Sequence, residues 1–118
     1  MPSAEIITIG TEILLGEIVD TNTRYLALAL RSLGVDLFRT ITIGDNTERI
    51  AEAIRDSMQR AEIIITTGGL GPTVDDPTRE AVARAAGVEL EFREDLWEQV
   101  VAVISRYGRK PSENQKQQ

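Results

Sequence analysis

The fold is decided by residues 63–78, Ile63-Ile64-Ile65-Thr66-Thr67-Gly68-Gly69-Leu70-Gly71-Pro72-Thr73-Val74-Asp75-Asp76-Pro77-Thr78. The apolar start is typical of a buried strand, and residues 79–86 predict a helix, so the stretch joins a strand to a helix. Glycines in such a loop let backbone N–H groups approach an anion closely, because no Cβ stands in the way. The helix start adds unpaired N–H donors and the positive end of a dipole. The stretch therefore predicts a site for a phosphate-bearing ligand.

Composition narrows the chemistry that this chain can perform. Its 118 residues, 42% apolar and 27% charged, are typical of one soluble globular domain spanning residues 1–118. The sequence has neither cysteine nor histidine, which excludes thiolate nucleophiles, serine–histidine triads and zinc sites of the usual kind. Any metal must be bound by oxygen atoms, and this favours Mg²⁺ or a similar divalent ion.

Charge and hydropathy limit the partners of the chain. A net charge of −6 argues against nucleic acid, whose binding depends mainly on Lys and Arg neutralising phosphates. No apolar run approaches membrane-spanning length, and the N-terminus lacks a basic segment followed by an apolar one. We expect no membrane partner and a cytoplasmic location.

Strand and helix patterns alternate along the chain and predict an α/β fold. Three strands are predicted, at residues 4–9, 35–43 and 62–66. A helix is predicted after each strand. The first helix starts near Asp20 or Thr21, the second at Asp45, and the third at Asp76 with Pro77 at its first position. This order is typical of a three-layer αβα fold around a mainly parallel sheet. The apolar stripes are predicted to be Leu26, Ala29, Leu30 and Leu33, then Ile50, Ile54, Met58 and Ala61.

The second strand and the C-terminal part carry further expectations. In the second strand Val35, Leu37, Ile41 and Ile43 should share one face, which Arg39 interrupts as in a strand near the sheet edge. Residues 88–92 should be a short strand or an extended connector. A last helix should run from Glu94 to Tyr107, with Leu96, Val100, Val103, Ile104 and Tyr107 facing inward and Trp97 packing in the core or an interface.

The end of the sequence predicts an incomplete domain. Ser112 and Gln115 have the spacing of a capping box that opens another helix, yet only three residues follow. Three or four strands are also few for a sheet with helices on both faces. We therefore expect the domain to be truncated at its C-terminus.

Three loops are expected to meet at one edge of the sheet, because ligands bind outside the carboxyl ends of parallel strands. They are residues 10–17, 44–46 and 67–76, and each contains glycine and at least one acidic residue. That coincidence favours a ligand site more than any one loop does.

Simpler structural explanations exist for several of these residues. The Gly-rich loop lacks the third Gly of a dinucleotide fingerprint and the Gly-Lys-Ser/Thr of a Walker loop, so it could be only a tight turn. Asp76 could serve as a helix N-cap, and Asp45 with Glu48 could form a capping box. Glu12 could be a solvated loop carboxylate. Asp75 has no comparable structural duty. Asp20, Thr21 and Asn22 are ordinary residues at a helix start.

Several motifs together resemble a known family. They are Gly10-Thr11-Glu12-Ile13-Leu14-Leu15-Gly16, Asp20-Thr21-Asn22, Gly44-Asp45 and the segment from Thr67 to Thr78. In this order they resemble the N-terminal domain of CinA (competence/damage-inducible) proteins, within the MoaB/Mog molybdopterin-binding superfamily. The resemblance covers residues 4–118.

The resemblance implies a MoaB/Mog-like fold, usually oligomeric, with its pocket at the Gly-rich loop. The Mog branch implies molybdopterin adenylylation supported by two aspartates, which fall on Asp45 and Asp76. The CinA branch implies metal-dependent hydrolysis of ADP-ribose at its pyrophosphate. Leu70 and Asp75 depart from the Mog pattern and favour the CinA branch. Nothing in this chain corresponds to the nicotinamide-nucleotide deamidase domain of CinA proteins.

The leading hypothesis is a metal-dependent pyrophosphatase acting on ADP-ribose or a similar dinucleotide. The alternatives are a module that binds molybdopterin or a nucleotide without turnover, and a bare oligomerisation domain. Asp45, Asp75, Asp76 and Glu12 are the candidate catalytic residues, and the three aspartates are the candidate ligands of Mg²⁺. The candidate ligand-binding residues are Gly10, Thr11, Asn22, Thr67, Gly68, Gly69, Leu70, Gly71, Pro72 and Thr78. A homo-oligomer is expected.

Overall fold

A parallel three-stranded sheet forms the centre of the chain in the computed structural model, which describes residues 2–71 and 76–108. The strands are β1 (Ser3–Ile9), β2 (Asp36–Ile43) and β3 (Ile63–Thr67). The helices are α1 (Thr11–Leu14), α2 (Thr21–Ser32), α3 (Thr47–Arg60), α4 (Thr78–Ala86) and α5 (Glu94–Arg106). The strand order is β2-β1-β3, and both pairs are parallel. The predicted α/β fold with a parallel sheet is confirmed.

The central strand β1 supplies both cores, because alternate side chains of a strand point to opposite faces. On one face Ile7 and Ile9 pack with Ile50 of α3 and Ala81 of α4. On the other face Ala4 and Ile6 pack with Leu30 of α2, and all of these side chains are buried. The helices therefore cover both faces of the sheet, as the predicted three-layer arrangement requires.

Two helix starts differ from the prediction. The N-cap of α3 is Asn46, whose side chain accepts the Arg49 N–H at 3.0 Å, and not Asp45. Asp45 fails as a cap because its carboxylate and its N–H are both directed to another loop. Helix α4 begins at Thr78 with no side-chain cap, so Asp76 is not its N-cap.

A bulge in β2 corrects the predicted face of that strand. Ala4 pairs with Leu37 and Glu5 pairs with Arg39, so the intervening Phe38 is an extra residue in the ladder. One inserted residue reverses the alternation, because side chains repeat every two positions. Leu37 consequently packs in the α2-side core, whereas Ile41 and its neighbour on the same face pack in the α3-side core. The edge position predicted for β2 is confirmed.

Several residues predicted to face inward are exposed. Met58 of α3 and Leu33 after α2 lie largely in solvent, and Ala61 is the residue that ends α3. No residue of α5 is buried; Leu96 and Val103 are among its most exposed apolar side chains, and Tyr107, which follows the helix, is more exposed still. An amphipathic stripe indicates only that a helix has an apolar side; the stripe is buried only where another element lies against it. The predicted self-association stays a prediction.

The remaining expectations on the C-terminal part divide in two. Within the described chain, residues 88–93 form no strand, so of the two predicted alternatives the short strand is not found. Ser112 and Gln115 lie outside the described residues. Across residues 2–71 and 76–108, no helix is both long and apolar enough to cross a membrane.

Candidate functional site at the carboxyl edge of the sheet

The first two predicted loops are joined at the carboxyl end of β1. The N–H of Gly10 donates to the Ile43 carbonyl at 2.9 Å, which extends the β1–β2 ladder by one bond. Beyond it, the Asp45 N–H donates to the Thr11 hydroxyl at 3.0 Å, and the Thr11 N–H donates to Asp45 Oδ2 at 3.4 Å. These reciprocal bonds fix Thr11 and Asp45, both predicted site residues, next to each other.

The Gly-rich loop touches the end of β1 so closely that two of its glycines are required. Gly68 and Gly69 have φ values of 93° and 65°, a region that favours glycine. A Cβ on Gly68 would lie 2.1 Å from the Ile9 carbonyl oxygen, and one on Gly69 would lie 2.2 Å from the Thr78 hydroxyl oxygen. The tight-turn explanation therefore has a physical basis at both positions. The same contacts place the third loop beside the first.

Thr78 holds the loop to the start of α4. Its hydroxyl donates to the Gly68 carbonyl at 2.6 Å, and its N–H donates to the Gly69 carbonyl at 3.2 Å. The side chain is buried. Thr78 was predicted to bind ligand, but its hydroxyl is hydrogen-bonded within this loop, where it stabilises the turn.

Donors remain for an anion beyond those bonds. Among the residues that the structure describes, none accepts a hydrogen bond from the backbone N–H of Gly69 or of Leu70. Leu70 is exposed, and Gly71 is partly exposed. Backbone N–H groups in a glycine turn next to a helix start are the elements of a phosphate-binding loop.

A cluster of hydroxyls around Asp20 fixes the start of α2 at this edge. Thr8, at the end of β1, donates to Asp20 Oδ2 at 3.0 Å and lies 2.7 Å from the Thr23 hydroxyl. The N–H and the hydroxyl of Thr23 both donate to Asp20. Burial alone would raise the pKa of the Asp20 carboxyl, but bonds from Thr23, Thr8 and the Asn22 N–H outweigh burial and lower it.

This cluster connects α2 to the Gly-rich loop through one further bond. The Asn22 side chain donates to the Thr67 hydroxyl at 3.1 Å, one residue before Gly68. Asn22 and Thr67 were predicted as ligand-binding residues, but Thr8 and Asp20 were not predicted as their support. A signal existed, because Thr8 is a lone hydroxyl near the end of an otherwise apolar half-strand.

The predicted acidic residues are spread over the three loops. Asp45 and Glu12 are exposed, and the Glu12 carboxylate folds back within 2.9 Å of a Cβ built on Gly10. The Asp76 carboxylate lies against Gly71, 2.6 Å from the position that a Cβ would take. Asp75 and Pro72 lie outside the described residues.

A hard cation suits these oxygen atoms, although the described residues do not form a complete cage. Within the described ranges, no three acidic side chains form a group that could hold a metal ion. There, the Asp45 carboxylate has one long bond from Thr11 and no paired cation. Mg²⁺ is commonly bound by one or two carboxylates together with substrate phosphates and water. The binding of a metal by Asp45 and Asp76 stays a prediction.

Comparison with known proteins agrees with this architecture. Residues 5–110 match the family described as the probable molybdopterin binding domain. A CinA-like protein of Synechococcus sp. (strain CC9902) is 50% identical over 105 residues, which are 89% of this chain and 25% of that protein. The chain spans about a quarter of the length of the curated relatives it matches.

Solved structures give the same result. CinA of unknown function from Thermoplasma acidophilum has a TM-score of 0.84 and 32% identity, covering 98% of this chain and 67% of that one. The molybdopterin biosynthesis enzyme MoaB from Thermus thermophilus has a TM-score of 0.67 and 24% identity, covering 71% and 54%, which is a likeness of fold. This chain therefore belongs to the family of probable molybdopterin binding domains and is a relative of the CinA proteins.

Proposed function

We propose that this chain binds a nucleotide or pterin phosphate at the carboxyl edge and, with Mg²⁺, hydrolyses the pyrophosphate of ADP-ribose or a similar dinucleotide. One observation carries the proposal. At this edge the N–H groups of Gly69 and Leu70 donate to no described residue, and the Asp45 carboxylate has no cation partner among the described residues. The Gly-rich turn touches Ile9 at the end of β1, and Asp45 is bonded to Thr11 just beyond that end, which supports a ligand that carries phosphate and a cation together.

Charge explains why a metal belongs to this proposal. The edge carries Glu12, Asp20, Asp45 and Asp76, and the whole chain has a net charge of −6. A diphosphate would be repelled by these carboxylates unless a divalent cation accompanied it. Bound Mg²⁺ would neutralise phosphate charge and make water a better nucleophile. We therefore expect ligand binding and turnover to depend on the metal together.

The side chains and backbone of the site have distinct tasks in this mechanism. The N–H groups of Gly69 and Leu70 would donate to phosphate oxygens and stabilise charge as it grows on them. Asp45 and Asp76 would hold the ion, and Glu12 would orient the attacking water. The water oxygen forms a bond to one phosphorus, the bridging P–O bond breaks, and ADP-ribose gives AMP and ribose 5-phosphate. The proton lost from water passes to solvent.

A binding module without turnover is the second candidate function, with a pterin such as molybdopterin as its ligand. It is favoured by the lack of any three-carboxylate group among the described residues. It is also favoured by the family match, whose description names molybdopterin binding and no hydrolysis. In that case Asp45 would affect ligand affinity only.

The two candidates are separated by measuring both products and affinity. ADP-ribose is incubated with the protein and Mg²⁺, AMP is quantified by chromatography, and binding is measured by calorimetry. Asp45→Asn should lower the hydrolysis rate about 100-fold or more, because charge stabilisation by a bound metal contributes several kcal/mol. Chelation of the metal should have the same effect.

Glu52→Gln is the matched control, since Glu52 is an exposed carboxylate on α3. It should leave the rate unchanged. Tight binding of ADP-ribose with no AMP formed by the wild-type protein would overturn the hydrolase and leave the binding module. If no phosphate compound raises the melting temperature, both candidates fail.

A further inference from the structure

An apolar groove lies directly beside the Gly-rich turn, and neither candidate function has used it. We refer to it as the α4 groove, lined by Leu70, Thr78, Val82, Val88 and Leu90. We infer that the α4 groove binds the heteroaromatic ring of the phosphate ligand, so that it selects a nucleotide base or a pterin. The inference rests on the proposed function and specifies the ligand of that site.

The α4 groove exists because one face of α4 is buried in the core and the other face is not. Ala81 is fully buried in the α3-side core, and Ala85, one turn later, packs against the same core. Thr78 and Val82, also one turn apart, line the groove instead. Val82 therefore stays 41% exposed although it is apolar and occupies a helix whose other face is buried.

Helix α4 forms one wall of the groove, and the residues that follow its C-terminal end form the other. Gly87 adopts a left-handed conformation with φ of 71°, and the Val88 N–H donates back to the Ala83 carbonyl at 2.9 Å. This helix stop turns the chain, and residues 88–91 line the groove. Val88 and Leu90 thereby remain largely exposed.

The dimensions and lining of the groove suit a flat ring. Its volume is about 340 Å³, close to the small end of ligand pockets. Five apolar side chains line it together with Thr66 and Thr78, and its charged residues are Arg79, Glu89 and Glu91. The two carboxylates can accept hydrogen bonds from the amino groups that purines and pterins carry. A guanidinium such as that of Arg79 can stack on an aromatic face.

The groove also shares residues with the proposed phosphate site. Leu70 belongs to the Gly-rich turn, and Thr78 is the residue whose hydroxyl bonds to Gly68 in that turn. A ligand with its phosphate at the N–H groups of Gly69 and Leu70 would thus have its ring beside the groove. The groove carries two carboxylates and one guanidinium, so it disfavours the phosphate end, which the N–H groups of the turn and the accompanying cation would bind instead.

A second apolar groove offers a contrast. It lies on α5, has a volume of about 440 Å³ and is lined by Leu96, Gln99, Val100, Val103 and Ile104. None of those residues belongs to the three loops, and the lining has no charged group. This groove serves as the control surface.

The test compares two ligands that differ in whether they carry a heteroaromatic base. AMP and ribose 5-phosphate both carry a ribose 5′-phosphate, and only AMP carries a base. Calorimetry with Mg²⁺ should give wild-type protein at least about tenfold tighter binding of AMP, the size expected of an apolar pocket contact. Val82→Ser and Leu90→Ser should each remove most of that difference and leave ribose 5-phosphate unchanged.

Val103→Ser on α5, where the valine is comparably exposed, should alter neither affinity. Equal affinity of wild-type protein for the two ligands would overturn the inference, as would groove variants that weaken both ligands equally. A preference for AMP without hydrolysis of ADP-ribose would retain the ring site and remove only the hydrolase. Adenosine and neopterin, titrated in parallel, identify which ring the groove prefers.

Discussion

Two polar clusters lie on opposite faces of β1, and their carboxylates have different hydrogen-bond partners. Near the start of the strand, the buried Glu5 accepts bonds from Arg39 at 2.9 Å, Arg60 at 3.2 Å and Ser57 at 2.8 Å. Near its end, Asp20 accepts bonds only from hydroxyl and backbone N–H groups of described residues. One negative charge is paired with cations, and the other is not.

The difference indicates that the carboxyl end of the sheet is the end available for chemistry. Glu5 and its two arginines balance one another between β1, β2 and α3, and every buried side-chain polar atom in the described residues has a partner. At the carboxyl edge, no described cation is paired with Asp20 or Asp45. A buried paired charge contributes structure, whereas we propose that a divalent cation binds where carboxylates have no cation partner.

The largest effect on stability is expected from Glu5→Gln. The change keeps the volume but leaves Arg39 and Arg60 facing an amide, and removing one partner of a buried pair is strongly destabilising. Because both arginines are partly exposed, we expect a loss of about 2–3 kcal/mol in the free energy of unfolding. Urea denaturation measures it.

The exposed pair Glu80–Arg84 on α4 is the matched comparison. Glu80→Gln should cost no more than about 0.5 kcal/mol, as for other exposed helix pairs. AMP affinity should survive Glu5→Gln in the folded protein, since Glu5 belongs to neither the loops nor the α4 groove. A loss of affinity without unfolding would contradict this division between the two ends.

Asp20→Ala should have a smaller effect on stability and a larger one on binding. Loss of the N-cap of α2 costs about 1–2 kcal/mol. Asn22 would also lose its fixed position against Thr67, so we expect AMP affinity to fall about tenfold, as for loss of an outer support of a site. Asp20→Asn keeps a good capping residue and should recover most of the stability. Unchanged affinity in Asp20→Ala would show that the cluster is structural only.

Acid should weaken the fold through the same two carboxyls, to a smaller extent than substitution. Burial opposes ionisation of Glu5, but bonds from Arg60, Ser57 and Arg39 outweigh it and lower its pKa below 4.5; the pKa of Asp20 is lowered below 3.8. A lowered pKa gives stability that is complete above the unfolded value and lost as pH falls through the folded value. Wild-type stability should therefore decline below about pH 4.5.

The Glu5→Gln variant provides the check on that pH dependence. Urea midpoints are compared between about pH 6 and pH 3, and the variant should decline less steeply than wild type because one of the two linked carboxyls is gone. Because folding lowers the pKa of Glu5, its contribution is lost gradually as pH falls, whereas Glu5→Gln removes it at every pH. Equal slopes would show that Glu5 is not linked to folding.

Much of the fold could be predicted from local patterns, and the failures have specific causes. Helix α2 begins at the predicted cap Asp20 and α4 ends at Gly87, because caps are set by residues next to each other in sequence. The extra residue Phe38 could not be predicted, since a bulge depends on pairing with a distant strand. The exposure of Leu96 and Val103 depends on what lies against α5.

The candidate site shows the same division. Its three loops, their glycines and Asp45 were predicted, because the alternation of strands and helices places loops at one edge. The partly buried cluster of Thr8, Asp20 and Thr23 and the engaged hydroxyl of Thr78 were not predicted, since both require contacts between residues 10 or more positions apart. The α4 groove was missed for the same reason.

The sequence by itself determined the parallel α/β architecture, the sites of the loops and the need for glycine near the strand end. Local periodicity and backbone freedom suffice for those features. The tertiary structure alone decided that Glu5 is paired with arginines while Asp45 is left to solvent, and that Val82 lines a groove while Ala81 is buried. The physical reason is that charge pairing and burial depend on which surfaces pack together, and no local sequence pattern specifies those tertiary contacts.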